Sequence, residues 1–170
     1  MSIPADDLQR RATISQTDGP VVPHVGMAGD TYTILLRGKD TAGRYGLIDM
    51  HVPPGGGPPL HRHDFEESFT VLEGEIEALF RGQHLTVRAG EVINIPANAP
   101  HQWKNVSERA ARLLCVCSPA GGEEFFLEVG IPVATRTTPP PPLSPAEQEA
   151  FRAKMVALAP KYKSELLERH

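Results

Sequence analysis

Apolar and polar positions alternate through most of the chain between Thr31 and Gly130. "TYTILLR" (31–37) and "RYGLIDMHV" (44–52) are short runs of aliphatic, β-branched and aromatic residues, and "GKDTAG" (38–43) between them is turn chemistry. The pair therefore reads as a hairpin. After a "PPGGGPP" loop (53–59) come "ESFTVLEG", "EIEALFRG" and "QHLTVRAG", each closing on a glycine at eight-residue spacing. "EVINIP", "HQWKNV", "ARLLCVCS" and "EEFFLEVG" continue the rhythm to Gly130. Many short strands with glycine turns and few helical stretches predict an all-β antiparallel sandwich or barrel.

The pattern changes at both ends. Residues 1–30 are polar and broken by Gly and Pro, which predicts a mostly irregular arm ahead of a barrel over 31–134. "TRTTPPPPLSP" (135–145) is a proline-rich linker, extended and semi-rigid. A helical segment over 146–170 follows. Ser144 is its cap, Pro145 suits the first helical position and Glu147 closes a capping box. Phe151, Met155 and Leu158 then form one apolar stripe. Pro160 interrupts, and "KYKSELLERH" is expected to form a second short helix. This tail is expected to fold back onto the barrel or onto a second subunit.

Composition narrows the function classes. The chain has 170 residues, 40% hydrophobic and 22% charged, with a net charge of −4. That suits one domain plus an appendage and offers no basic stripe for a phosphate backbone, so no nucleic-acid partner is expected. No apolar run approaches the roughly 20 residues that span a bilayer, and "MSIPADDLQRR" lacks a secretory h-region. Cys115 and Cys117, two apart in an expected strand, would make a badly strained disulfide. These readings place the protein in the cytoplasm, away from membranes.

The candidate chemistry lies in "HRHDFEE" (61–67). On a strand His61, His63 and Glu67 share one face, whereas Arg62, Asp64 and Glu66 share the other. Imidazoles with a carboxylate are a common set of ligands for a divalent transition metal. Glu66 is the rival carboxylate, but parity favours Glu67. A second segment, "GEVINIPANAPHQWKN" (90–105), delivers His101 at the start of another strand. His24, His84 and His170 lie in polar surroundings and read as surface residues.

Together the two segments resemble the cupin superfamily. Its first motif is matched by Gly55, His61, His63, Glu67 and Gly74, and its second by Gly90, Pro96, His101 and Asn105. The departure is Asn98, where the family usually has glycine; asparagine tolerates the left-handed backbone such a turn needs. The resemblance covers roughly residues 30–130, with further similarity to small quercetin-dioxygenase-like cupins. It implies a jelly-roll barrel, the double-stranded β-helix, with a short C-terminal helical tail. It also implies one divalent metal ion held by His61, His63, Glu67 and His101, its identity open among iron, manganese, nickel, copper and zinc. A homodimer paired through a sheet edge is expected as well.

Phe69 continues the face of Glu67, and Trp103 that of His101, so both are expected to line a pocket beside the metal. Phe126, on an expected last strand, and His51, alternating with Asp49, are further pocket candidates. Cys115 and Cys117 share a face with Leu113 and read as small buried hydrophobes. Three functions remain open. The first is a dioxygenase of a small enolic or phenolic substrate, with dioxygen as co-substrate and Glu67 also acting as a base. The second is a non-redox isomerase, cyclase or lyase in which Glu67, His51 or Tyr32 moves protons. The third is a small-molecule binding module without catalysis.

Overall fold

The computed structural model describes residues 2–168, so the expected position of His170 lies outside the described residues. Two antiparallel sheets face each other as a jelly roll. The larger has seven strands in the order β11-β1-β2-β3-β10-β5-β8: Ile131–Pro132, His24–Met27, Asp30–Leu36, Gly46–Val52, Ala111–Ser118, Glu66–Glu73 and Val92–Ile95. The smaller runs β12-β4-β9-β6-β7: Ser164–Leu166, His61–His63, His101–Lys104, Glu75–Phe80 and Gln83–Arg88.

The alternation expected from the sequence is literal in β10. Ala111, Leu113, Cys115 and Cys117 are buried, and their neighbours are half-buried or exposed. Ile48, Met50 and Val52 of β3 and Phe69 and Val71 of β5 meet them in the core, together with Ile76, Ala78 and Trp103 of the smaller sheet. Each such large side chain contributes about 1.5–3 kcal/mol on burial. β2 departs from the pattern, because both its faces are covered. Thr31 and Thr33 point away from the core yet are buried, since Thr31 donates to the Thr138 carbonyl at 2.7 Å and Thr33 bonds His24 at 2.8 Å. The proline-rich segment thus lies against the sheet rather than spanning open solvent.

Two expected elements differ. "EEFFLEVG" is not a strand: Gly122–Val129 forms a helix, here α2 after the single turn α1 at Gly38–Thr41. Phe125 and Phe126 lie four and three residues before Val129, and that spacing outweighs the apparent alternation. Within "KYKSELLERH", the described residues 161–168 do not form the expected helix either. After α3 (Pro145–Leu158) come a 3-10 turn, Ala159–Tyr162, and strand β12. The start of α3 is as expected, with the Glu147 amide donating to Ser144 and the Ser144 amide to Glu147. Its stripe of Phe151, Met155 and Leu158 packs on the core. β12 then pairs with the outer edge of β4 in the register Ser164↔His63, Leu166↔His61. An exposed edge beside the candidate site is thereby covered. The arm contains one strand, β1, joined to β2 by a tight turn at Ala28 and Gly29, both with positive φ.

Candidate metal centre

The site forms where the two sheets face each other. β4 and β9 are antiparallel neighbours with His61 directly opposite His101, and His63 lies two residues along the same face. Glu67 comes from β5 in the other sheet. The four side chains bring their donor atoms within 4.8 Å of one another. His63, Glu67 and His101 are buried, and His61 is half-buried. Glu66 points outward and accepts from Asn94 and from the Ala97 amide. Asn98 holds the turn before β9 at φ 65° and donates its amide to the His63 carbonyl at 2.7 Å. Asn105 is structural, bonding the carbonyls of Val52 and Arg109.

Each imidazole is oriented by a nearby backbone carbonyl. Nδ1 of His61 bonds Pro59 at 2.8 Å, that of His63 bonds Phe65 at 3.0 Å, and that of His101 bonds Ala99 at 2.9 Å. A carbonyl only accepts, so each Nδ1 carries the hydrogen and each neutral ring bears a lone pair on Nε2. The lone pairs of His63 and His101 then face Glu67 Oε2 at 3.0 and 3.3 Å. Acceptor against acceptor is repulsive unless a positive charge lies between them, whether a proton or a metal ion. Donors about 3 Å apart also match neighbouring vertices of a shell with metal–ligand distances of about 2.1 Å. Carbonyl-anchored imidazoles are the usual outer support of metal-binding histidines. On this observation the donor set fits a divalent transition metal.

The electrostatics agree. Burial, reinforced by the neighbouring His101 ring, pushes His61 down to about 4, so this ring is neutral near pH 7. Burial opposes a charge on His63, but the Glu67 carboxylate and nearby carbonyls outweigh it and raise its proton affinity. Burial likewise opposes ionisation of Glu67, yet positive charge held between its carboxylate and the His101 and His63 rings keeps it well below the usual carboxylate range.

The other oxygen of Glu67 meets sulfur. Cys115 Sγ donates to Oε1 at 3.4 Å, and Cys117 Sγ lies 3.8 Å from both Oε1 and Cys115 Sγ. Both cysteines are free. Sequence parity placed them with Leu113 in the core. Their contact with Glu67 follows from the register Cys117↔Glu67 between β10 and β5.

His61, His63 and Glu67 open onto a cavity of about 80 Å³. Phe69, Trp103 and Phe126 are among the residues lining it, Phe126 from α2 rather than from a strand. Phe69 and Trp103 pack edge to face with centroids 5.5 Å apart. His51 does not line this cavity. Met50 and Val52 point into the core, so His51 and Asp49 face the opposite side of β3, where Arg112 pairs with Asp49. The sequence reading missed Asp30, which lines the cavity beside Tyr32; the Tyr32 hydroxyl donates to Asp30 Oδ2 at 3.1 Å. An aspartate at the start of a buried strand, sharing parity with a tyrosine, was the available signal. Burial lifts Asp30 to about 7, against weaker help from the Tyr32 hydroxyl and the Gly57 amide. The tail contributes Met155, Ser164 and Leu166 to the wall.

Comparison with known proteins gives consistent relatives. Residues 48–117 match the family model described as "Cupin domain". The chain is 27% identical over 128 residues to a quercetin 2,3-dioxygenase of Bacillus subtilis, covering 75% of this chain and 37% of that protein. It is 31% identical over 102 residues to the polyketide synthase CurC of Streptomyces cyaneus, covering 58% of this chain and 65% of the relative. Among solved structures, the polyketide cyclase RemF of Streptomyces resistomycificus superposes with a TM-score of 0.53 at 24% identity, over 82% of this chain and 94% of that one. The chain thus spans well under half of the first of these relatives and just under two thirds of the second. Among the described residues no helix is long and apolar enough to cross a membrane.

Proposed function

We propose that this chain, whose residues 48–117 match the cupin-domain model, is a metal-dependent dioxygenase acting on a small enolic or phenolic substrate. The observation that carries the reading is the convergence of three imidazole lone pairs and one carboxylate beside a largely apolar cavity. His61, His63, His101 and Glu67 would hold one divalent transition-metal ion. Such an ion supplies Lewis acidity towards a bound oxygen and, where redox-active, the electrons for dioxygen chemistry.

The chain's own residues supply the rest. The carbonyls of Pro59, Phe65 and Ala99 fix the three rings. Phe69, Trp103, Phe126 and the tail residue Leu166 exclude water from the cavity, which strengthens every polar contact inside it. The imidazoles hold Glu67 ionised, which suits a ligand. Its use as a base belongs to the moment when a substrate proton competes for that carboxylate. Likeness to a quercetin 2,3-dioxygenase supports the oxidative reading.

One observation favours a second reading, a non-redox isomerase, cyclase or lyase. The Asp30–Tyr32 pair on the same cavity wall is proton-handling equipment that an oxygenase does not require. The test has two steps. Metal analysis of the purified protein is expected to give one ion per chain, and His61→Ala and His101→Ala are each expected to lose it; retention in both variants would refute the site. An oxygen electrode then screens enols, phenols and diketones. Turnover that proceeds unchanged without dioxygen rejects the oxygenase in favour of the second reading.

A further inference from the structure

Among the described residues three buried side-chain polar atoms lack a hydrogen bond of good geometry, and two belong to residues on the wall of the cavity. These are Asp30 Oδ1, an acceptor, and Trp103 Nε1, a donor. Asp30 is 1% exposed and Trp103 3%. Leaving such groups unpaired costs free energy, so a fold that keeps both at one cavity is adapted to something that pairs them. The third orphan, Asp49 Oδ1, is on the far face of β3, where Arg112 supplies the counter-charge.

The local backbone is shaped around the Asp30 carboxyl and the main chain of Trp103. A side chain at Gly56 would run into Asp30 Oδ1, and one at Gly57 into the Trp103 carbonyl. Two consecutive glycines therefore give both residues the room they occupy. Gly57 holds φ +134°, a conformation that side-chain-bearing residues rarely adopt. The Tyr32 hydroxyl occupies Asp30 Oδ2, and Oδ1, with only the Gly57 amide near the carboxyl, keeps no hydrogen bond of good geometry. The indole N–H of Trp103 can only donate.

We propose that Asp30 and Trp103 form the polar recognition end of the cavity, selecting a ligand that carries a hydroxyl group on an apolar ring or chain. The ligand's O–H donates to Asp30 Oδ1, and an oxygen of the ligand accepts from Trp103 Nε1. Phe69 and Phe126 pack its apolar body. This rests on reading the cavity as the substrate site, and it adds recognition by residues outside the metal-donor set. A site built to pair a hydroxyl discriminates against analogues without one, because its own buried groups are then left unpaired.

Trp103 is the only tryptophan of the chain, so its fluorescence reports on this end of the cavity directly. The full chain is titrated with phenol and with fluorobenzene, which are of nearly equal size, in metal-loaded and chelator-treated forms. Phenol is expected to bind tighter by roughly tenfold or more, the range of one hydrogen bond to a charged partner. The preference is expected to survive metal removal and to vanish in Asp30→Leu. Trp103→Phe, followed by calorimetry, should weaken phenol alone and serves as the second variant should Asp30→Leu not fold. Equal binding of the two probes in the wild type, a preference that persists in the variants, or one that appears only with metal would each overturn the proposal. Metal content is measured on the same samples. Loss of metal stoichiometry with an intact preference would defeat the proposed metal-dependent reaction and leave this inference standing.

Discussion

Replacing Asp30 with asparagine should stabilise the metal-free protein at neutral and alkaline pH and leave it nearly unchanged near pH 4. Burial lifts the Asp30 carboxyl from an ordinary 3.8 to about 7. The folded state therefore holds this proton more tightly than the unfolded chain does. The associated stability is fully present below the unfolded pKa and is lost as pH rises through the folded one. About three pKa units at about 1.4 kcal/mol each give about 4 kcal/mol, spread over the window from about pH 4 to about pH 7. Asparagine keeps the shape and an acceptor for the Tyr32 hydroxyl but never ionises. The variant-minus-wild-type difference thus isolates the ionisation, and other titrating groups cancel. Urea unfolding at several pH values measures it. The difference should start near zero, grow through pH 5–6 and level off above pH 7. In thermal melts at about pH 8 it corresponds to a gain of about 10 °C for a chain of this length. A difference that is flat with pH, or that grows towards acid, would refute the reasoning.

Arg112→Met should cost about 3–5 kcal/mol in urea unfolding, because it strands the fully buried Asp49, whose Oδ2 takes both Nε and Nη2 of Arg112 at 2.9 and 2.7 Å; a loss below about 1 kcal/mol would show the pair to be dispensable. Gly57→Ala should destabilise by about 3 kcal/mol or more and alter the near-ultraviolet signal of Trp103, since the new methyl meets the Trp103 carbonyl at a strained φ. Cys115→Val should weaken metal binding by about tenfold in a metal titration, whereas Cys115→Ser, which keeps a donor for Glu67 Oε1, should retain most of the affinity. Equal affinities in the two variants would dismiss a positioning role for this thiol.

Period-two alternation carried the fold because it is a local property that the structure has only to satisfy. β10 runs from Ala111 to Ser118, the very residues whose alternation predicted it. The misread segments are those where a local signal competed with a distant partner. In "EEFFLEVG" two adjacent phenylalanines already broke the alternation, and Phe125, Phe126 and Val129 fit a helical face that packs towards the cavity. "KYKSELLERH" has a composition that favours helix, but β4 offers an unpaired edge and Ser164–Leu166 completes it. Backbone pairing with an existing sheet outweighs helix preferences of a few tenths of a kcal/mol per residue. The proline-rich stretch looked like a spacer because nothing in it revealed that Thr31 would bond the Thr138 carbonyl.

The candidate site divides along the same line. The orientation of each imidazole is local: the carbonyl that fixes His61 is two residues before it, as is that of His101, and that of His63 is two residues after. Prolines at 58, 59, 96 and 100 shape the turns into β4 and β9, so the direction of the lone pairs is written into the chain beside each histidine. Parity could choose a face of each strand but not which face turns inward. That is why Glu67 was separable from Glu66, while His51 was assigned to a cavity that its neighbour Met50 lines instead. The thiols at Glu67 depend on the register between the distant strands β10 and β5, and the position of the Asp30 carboxyl on the geometry of the β1–β2 hairpin. In physical terms the chain specifies the metal donors by short-range rules and the rest of the cavity by long-range packing. A substitution at Ala99 that shifts its carbonyl should consequently disturb the metal while sparing the cavity, whereas changes at Asp30 or Gly57 should do the reverse.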